Sequence, residues 1–107
     1  MNVLFICSKN QWRSPTAERL FASHPAVNVR SAGTHRAARH SVNREDIQWA
    51  DTVLVMEDKH KQHLKAQFRH ELMTKKVVVL DIPDDYQYMD PELVEWLTEA
   101  VTAQLAL

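Results

Sequence analysis

Short apolar runs alternate with helical patterns along the whole chain, and this alternation restricts the folds that the chain can adopt. The runs are Asn2–Cys7, Val27–Ala32, Thr52–Met56 and Lys76–Leu80. Three of them are almost continuously apolar and rich in β-branched residues, which is typical of strands covered on both faces. Val27–Ala32 is the weakest of the four. The pattern therefore predicts four strands.

Helical signals follow each of these runs. Ser14 and the proline after it are typical of an N-cap and a first helical position. Val42–Trp49 and Asp58–Phe68 predict two further helices, and Asp90 before a proline begins the last one. This order predicts an α/β fold, a three-layer α/β/α architecture with a four-stranded parallel sheet. Sites in such folds lie at the carboxyl ends of the strands.

Length and composition exclude several classes of protein. The chain has 107 residues, of which 45% are hydrophobic and 25% charged, so we expect a single globular domain over residues 1–107. No apolar run approaches the roughly 20 residues that span a bilayer, and no basic region precedes the first run. A net charge of −1 does not favour nucleic acid as a partner. One cysteine, Cys7, excludes an internal disulfide. We therefore expect a cytoplasmic monomer without a membrane partner.

The connection between the first strand and the first helix carries the strongest chemical signal. It holds a Cys-x5-Arg motif from Cys7 to Arg13, directly before Ser14. Backbone N–H groups of such a loop, with the helix N-terminus, bind a phosphate-sized oxyanion, and arginine adds a planar fork for two phosphoryl oxygens. The same positive field favours the thiolate form of the cysteine. The residues predicted to bind phosphate are Ser8, Lys9, Asn10, Gln11, Trp12, Arg13 and Ser14.

By itself the Cys-x5-Arg spacing is weakly specific. Its ordinary alternative is a buried core cysteine at a strand end, beside a surface arginine. The apolar strand directly before the motif and the Ser-Pro pair directly after it favour the catalytic interpretation.

The segment VLFICSKNQWRSPTAE resembles the signature of the low-molecular-weight protein tyrosine phosphatases. Ser31–Thr34 resembles the second loop of that family, and Asp51–Asp58 its third strand with the loop after it. Ile82–Tyr86 falls where the family carries its Asp-Pro-aromatic general-acid loop. The resemblance is to a compact bacterial branch and implies the phosphotyrosine phosphatase I fold. It also implies hydrolysis of a phosphotyrosine protein or a small aryl phosphate through a cysteinyl-phosphate.

The resemblance assigns roles to individual residues. Cys7 attacks phosphorus, and Arg13 with the loop amides stabilises the charge of the phosphoryl oxygens. Asp84 is the general acid, and Asp85 then stands where the family has proline. The alternative for both carboxylates is a solvated turn. Tyr86 is expected at the pocket rim, and its alternative is a half-buried aromatic over the core.

The sequence also departs from the family pattern. Lys9 stands where the family usually has glycine, and Trp12 stands where many members have a second cysteine. The chain is shorter than typical members between Thr34 and Asp51, which removes part of the wall around the pocket.

Three other functions compete with the phosphatase interpretation. A phosphoryl carrier needs neither Arg13 nor a general acid, and a thioredoxin-coupled arsenate reductase needs additional cysteines. A non-catalytic oxyanion or phosphopeptide binder is the third. No metal or cofactor is expected, because arginine and amides bind the anion. His60 and His63 lie among lysines and are predicted to form a solvated basic face of a helix rather than a ligand pair.

Overall fold

Four parallel strands form one sheet in the computed structural model, which describes residues 1–107. The first strand, β1 (Asn2–Cys7), lies in the interior of the sheet. It pairs with β2 (Asn28–Gly33) on one side and with β3 (Thr52–Val55) on the other, and β4 (Lys76–Val79) pairs with β3. The order across the sheet is therefore β2-β1-β3-β4.

Helices cover both faces of this sheet. They are α1 (Arg13–Phe21), α2 (Arg44–Trp49), α3 (Asp58–Gln67), α4 (Arg69–Leu72) and α5 (Pro91–Leu105). Helices α1 and α5 pack on one face, and α2, α3 and α4 pack on the other. None of the helices combines the length and the apolar composition that crossing a membrane requires.

Strand β1 contributes to both cores because successive side chains of a strand point to opposite faces. Val3, Phe5 and Cys7 pack in the core beneath α1 and α5. Leu4 and Ile6 pack in the core beneath the other three helices. This double coverage explains why the first apolar run of the sequence has no polar alternation. Each of these aliphatic and aromatic side chains contributes about 1.5–3 kcal/mol by its burial.

The predicted fold class is confirmed: the architecture is a three-layer α/β/α sandwich around a four-stranded parallel sheet. Four of the eight strand ends lie at the predicted residue, and the other four differ from it by one residue. The short helix α4 was not predicted, because four residues are too few to show a helical period.

The strand order places one end of β1 at a topological switch point. The chain leaves β1 towards β2 and then crosses back to β3 on the opposite side, and ligands bind at such a reversal in open α/β sheets. The segments after β3 and β4 reach the same edge, where the Met56 amide donates to Ile6 and the Ile82 amide donates to Met56. Cys7, the last residue of β1, therefore lies at the edge where a site is expected.

Candidate active site

Cys7 opens onto a pocket of about 180 Å³ at this edge of the sheet. The cysteine side chain is buried, with 3% of its surface exposed. The pocket is smaller than the roughly 300–1,000 Å³ of pockets that enclose a drug-sized ligand, so it suits a phosphoryl group with the rest of the substrate outside. Its lining residues are Cys7, Ser8, Lys9, Gln11, Trp12, Arg13 and Asp84.

Four carbonyl groups of the cysteine loop, defined here as residues 7–13, are held by the segment 34–39. The amides of residues 8–12, in contrast, donate to no group of the protein. Carbonyl groups fixed in this way leave successive N–H groups for an anion, as in the backbone nests that bind phosphate. The Thr34 and His35 amides donate to the carbonyls of Cys7 (3.0 Å) and Ser8 (2.9 Å), and the Arg39 amide and Nε donate to those of Lys9 and Asn10 (3.0 Å each).

Gly33 allows this close approach between the cysteine loop and the end of β2. A Cβ atom at position 33 would lie 2.5 Å from the Ser8 carbonyl oxygen and 2.7 Å from the Ala38 Cβ. Both neighbours are atoms near the backbone, so neither can move aside without displacing the loop. The single glycine of the chain is therefore required because there is no room for a side chain, and not because a turn needs its backbone freedom.

Gly33→Ala is expected to lower both the stability and the anion affinity of the protein. Overpacking of a filled site costs about 1–3 kcal/mol, and here the displaced group is the cysteine loop, whose unpaired amides are the candidate anion site. Thermal unfolding and calorimetric titration with phosphate measure the two effects. Ala38→Gly is the matched control, because it removes a methyl group from the same contact without adding one. Unchanged phosphate affinity in Gly33→Ala would contradict this account.

A buried hydrogen-bond network orients the Ser14 hydroxyl towards the cysteine sulfur. Asn10 adopts φ 55°, in the left-handed region that asparagine tolerates. Its Nδ2 donates to the Oγ atoms of Ser14 and Ser31, both at 2.9 Å. Ser31 in turn donates to Glu18 Oε1 at 2.6 Å. With its oxygen accepting from Asn10, the Ser14 hydroxyl has two acceptors for its proton, Cys7 Sγ at 3.0 Å and the Ala32 carbonyl at 3.4 Å, and the sulfur is the nearer of the two. A donor at this position stabilises a negatively charged sulfur.

Arg13 is held in place on one edge of its guanidinium. The side chain is 1% exposed, and its Nη1 donates to Glu57 Oε2 at 2.6 Å and to the Ile82 carbonyl at 2.7 Å. Its Nη2 has no protein acceptor, which leaves that end for an oxyanion. Partial burial acts to raise the pKa of Glu57, but the hydrogen bond and charge of Arg13 outweigh it and keep that pKa below its ordinary value. Glu57 therefore stays ionised as the partner of Arg13.

Asp84 reaches the pocket from the segment after β4. Its Oδ1 lies 3.5 Å from Arg13 Nε, and 54% of its side chain is exposed. Asp85 is exposed and does not line the pocket. Tyr86 does not line it either, because its ring packs edge-on against Trp96 of α5, with 6.3 Å between centroids. The contacts of Tyr86 match the second interpretation given above, a half-buried aromatic side chain that covers the core.

The prediction of a solvated histidine face is wrong for His60. This side chain is 1% exposed, its Nδ1 accepts the Glu57 amide at 3.0 Å, and its Nε2 lies 2.9 Å from Ser8 Oγ. Burial, followed by the charge of Arg13, lowers the pKa of His60 to about 4. His63 is exposed, as predicted, and bonds Gln67 on its own helix.

Glu57 and His60 are the site residues that the sequence did not identify. They form a cap at the start of α3, in which the Glu57 amide donates to His60 Nδ1 and the His60 amide donates to the Glu57 carbonyl, both at 3.0 Å. The Glu-x-x-His spacing just before a predicted helix was the available signal. It indicates a helix start but not which loop that start faces.

Comparison with known proteins places the chain in a family. Residues 2–48 match the family model "Low molecular weight phosphotyrosine protein phosphatase". A protein-arginine-phosphatase of Bacillus subtilis (strain 168) is 34% identical over an alignment that covers 74% of this chain and 73% of that protein. The crystal structure of a YwlE mutant from Bacillus subtilis, 27% identical, covers 100% of this chain and 99% of its own with a TM-score of 0.71.

A likeness of fold alone extends to more distant structures. SP-PTP, a low molecular weight protein tyrosine phosphatase from Streptococcus pyogenes, has a TM-score of 0.80 at 17% identity, covering 98% of this chain and 91% of its own.

The chain belongs to the low molecular weight phosphotyrosine protein phosphatase family. It is a phosphoric monoester hydrolase of that family. The family and the enzyme class predicted from the sequence are thereby confirmed, and the phosphoryl-carrier and non-catalytic interpretations are set aside.

Proposed function

We propose that this hydrolase acts on protein phosphotyrosine and small aryl phosphates through a cysteinyl-phosphate intermediate. Cys7 is the nucleophile, Arg13 and the loop amides bind the phosphoryl oxygens, and Asp84 is the general acid. The observation that carries the proposal is the position of the Cys7 sulfur, 3.0 Å from the Ser14 hydroxyl and at the start of a loop with free amides. Nucleophile and anion site are thus formed by the same loop.

The reaction has two steps. The Cys7 thiolate attacks phosphorus, the bond from phosphorus to the leaving oxygen breaks, and Asp84 gives its proton to that oxygen. The Asp84 carboxylate then takes a proton from water as the water oxygen attacks phosphorus. The sulfur–phosphorus bond breaks, phosphate leaves, and the Cys7 thiolate and the protonated Asp84 are regenerated. Arg13 and the amides supply the positive charge, so neither step needs a metal or cofactor.

A relative supports the covalent step. A Cys-to-Ser mutant of the YwlE arginine phosphatase, 26% identical and covering 99% of this chain, carries a phosphorylated active-site serine. A phosphorylated residue at the nucleophile position is what an attack by that side chain produces.

Trp12 supports an aromatic leaving group. Its side chain lines the pocket and is 41% exposed, so it offers a flat apolar surface beside the phosphoryl site. Stacking of two aromatic rings contributes about 0.5–1.5 kcal/mol beyond burial. A phenolate also leaves more readily than an alkoxide, which favours phosphotyrosine over phosphoserine.

Phosphoarginine is the second candidate substrate. It is favoured by the 34% identical relative, a protein-arginine-phosphatase. In this chain the half-exposed Asp84 carboxylate at the pocket would pair with a substrate guanidinium, and Trp12 would stack on it.

A panel of otherwise identical peptides tests the proposed substrate. We expect kcat/KM to be highest for the phosphotyrosine peptide, lower for phosphoarginine and lowest for phosphoserine. Trp12→Leu is expected to lower kcat/KM for phosphotyrosine by up to roughly tenfold, the stacking contribution. Inhibition by inorganic phosphate, which has no ring to stack, is the matched control and should not change. A phosphoarginine peptide hydrolysed fastest would transfer the assignment to the second candidate.

A further inference from the structure

Ser8 and His60 form a contact beside the pocket that the proposed chemistry does not use. The Nδ1 atom of His60 accepts the Glu57 amide, so it carries a lone pair, and the ring proton lies on Nε2. Nε2 then donates to Ser8 Oγ, 2.9 Å away. The Glu57 amide can only donate, so it fixes the tautomer of the neutral His60 ring and with it the direction of the bond to Ser8.

This direction determines what the Ser8 hydroxyl can do. Its oxygen accepts from His60, so its own proton points elsewhere, and it donates to no protein acceptor. Ser8 also lines the pocket next to Cys7. The free proton of Ser8 is therefore available to an oxyanion in that pocket.

Glu57 joins this contact to the arginine. Its amide fixes the His60 tautomer, and its carboxylate binds Arg13 Nη1 at 2.6 Å. Two side chains that line the pocket, Ser8 and Arg13, are thus positioned from the same turn at the start of α3.

We propose that the Ser8 hydroxyl donates a hydrogen bond to the phosphoryl group, and that neutral His60 is the positioning residue that orients it. Ser8 is then a catalytic residue in addition to Cys7, Arg13 and Asp84. This inference rests on the proposed function, because it places a phosphoryl group in the pocket. Burial of His60 keeps the ring neutral at physiological pH, since its pKa is lowered to about 4.

Two substitutions of His60 separate its two hydrogen bonds. In His60→Gln the amide reaches the place of Nε2 and still donates to Ser8. In His60→Asn the shorter side chain reaches only the place of Nδ1, so it keeps the Glu57 contact and loses Ser8. Ser8→Ala removes the hydroxyl itself.

We expect Ser8→Ala and His60→Asn each to lower kcat/KM for an aryl phosphate by roughly 10–100-fold, as for the loss of a hydrogen bond to a charged group. Vanadate affinity, measured by calorimetry, should fall with them. His60→Gln should stay within about threefold of the wild type, because it retains the donor. In the Ser8→Ala background neither His60 substitution should lower kcat/KM further.

The double variants distinguish positioning from a merely structural role. If His60 only packs against the loop, His60→Asn will lower kcat/KM equally with Ser8 present or absent, which overturns the proposal. Unchanged kcat/KM and vanadate affinity in Ser8→Ala would also overturn it. If His60→Asn does not fold, the comparison of Ser8→Ala with His60→Gln still tests the proposal. Similar losses of kcat/KM in these two variants would refute the orientation of Ser8 by His60. If the wild type turns over no aryl phosphate, the proposed function fails, and vanadate titrations alone test the Ser8 donor.

Discussion

Replacing Cys7 by serine is expected to abolish turnover of an aryl phosphate while the pocket continues to bind phosphate. A serine hydroxyl is not ionised at neutral pH, and the side chain next to the sulfur, Ser14, is itself positioned to donate. A serine at position 7 is a weaker nucleophile, and a phosphoserine formed there is hydrolysed slowly because an alkoxide is a poorer leaving group than a thiolate. We expect kcat to fall by about 10⁴-fold or more, as for removal of other nucleophiles. The anion affinity should persist, because the loop amides and Arg13 remain.

Ser14→Ala is the matched control for this prediction. It keeps the proposed nucleophile and removes the hydroxyl that lies 3.0 Å from its sulfur, so a smaller loss of roughly tenfold in kcat is expected. Steady-state rates and calorimetric phosphate titrations on both variants measure the two effects. If Cys7→Ser retains as much activity as Ser14→Ala, Cys7 is not the nucleophile.

The fold was predictable because the residue pattern of each strand indicates whether its two faces are buried. The apolar run of β1 indicates a strand with cores on both sides, and the structure places such cores there. The weaker signal of Val27–Ala32 has a physical cause as well. β2 is an edge strand. Its Arg30 is partly exposed, and the guanidinium carbon lies 4.3 Å from the centroid of the Trp49 ring. A strand in this position does not need a continuous apolar run.

The candidate site was predictable only as far as it is built from one segment. Six of the seven pocket-lining residues belong to the cysteine loop, and their spacing in the chain was sufficient to identify them. Glu57 and His60 come from the start of α3, and they meet the loop because β3 lies beside β1. The periodicity of a single element does not determine the order of the strands in the sheet. The contact of these two residues with the cysteine loop could therefore not be predicted from the sequence, and the prediction for His60 was a solvated residue.

The two adjacent carboxylates after β4 illustrate the same limit. The residue pattern did not choose between Asp84 and Asp85, and only the resemblance favoured the former. In the structure Asp84 lines the pocket with its Oδ1 3.5 Å from Arg13 Nε, while Asp85 lies outside it. Neighbouring residues of an extended segment point in opposite directions, so one of the two faces the pocket.

Asp84→Asn is expected to slow turnover by roughly 10²–10⁴-fold when the leaving group is poor, because an asparagine cannot protonate it. The loss should be much smaller for p-nitrophenyl phosphate, whose leaving group needs little protonation. Asp85→Asn is the matched control and should show no such dependence, since its side chain lies outside the pocket. Plots of log kcat against leaving-group pKa for the three proteins measure the effect. A steeper slope in Asp85→Asn than in Asp84→Asn would move the role to Asp85. Equal slopes in all three would mean that the acid comes from another residue.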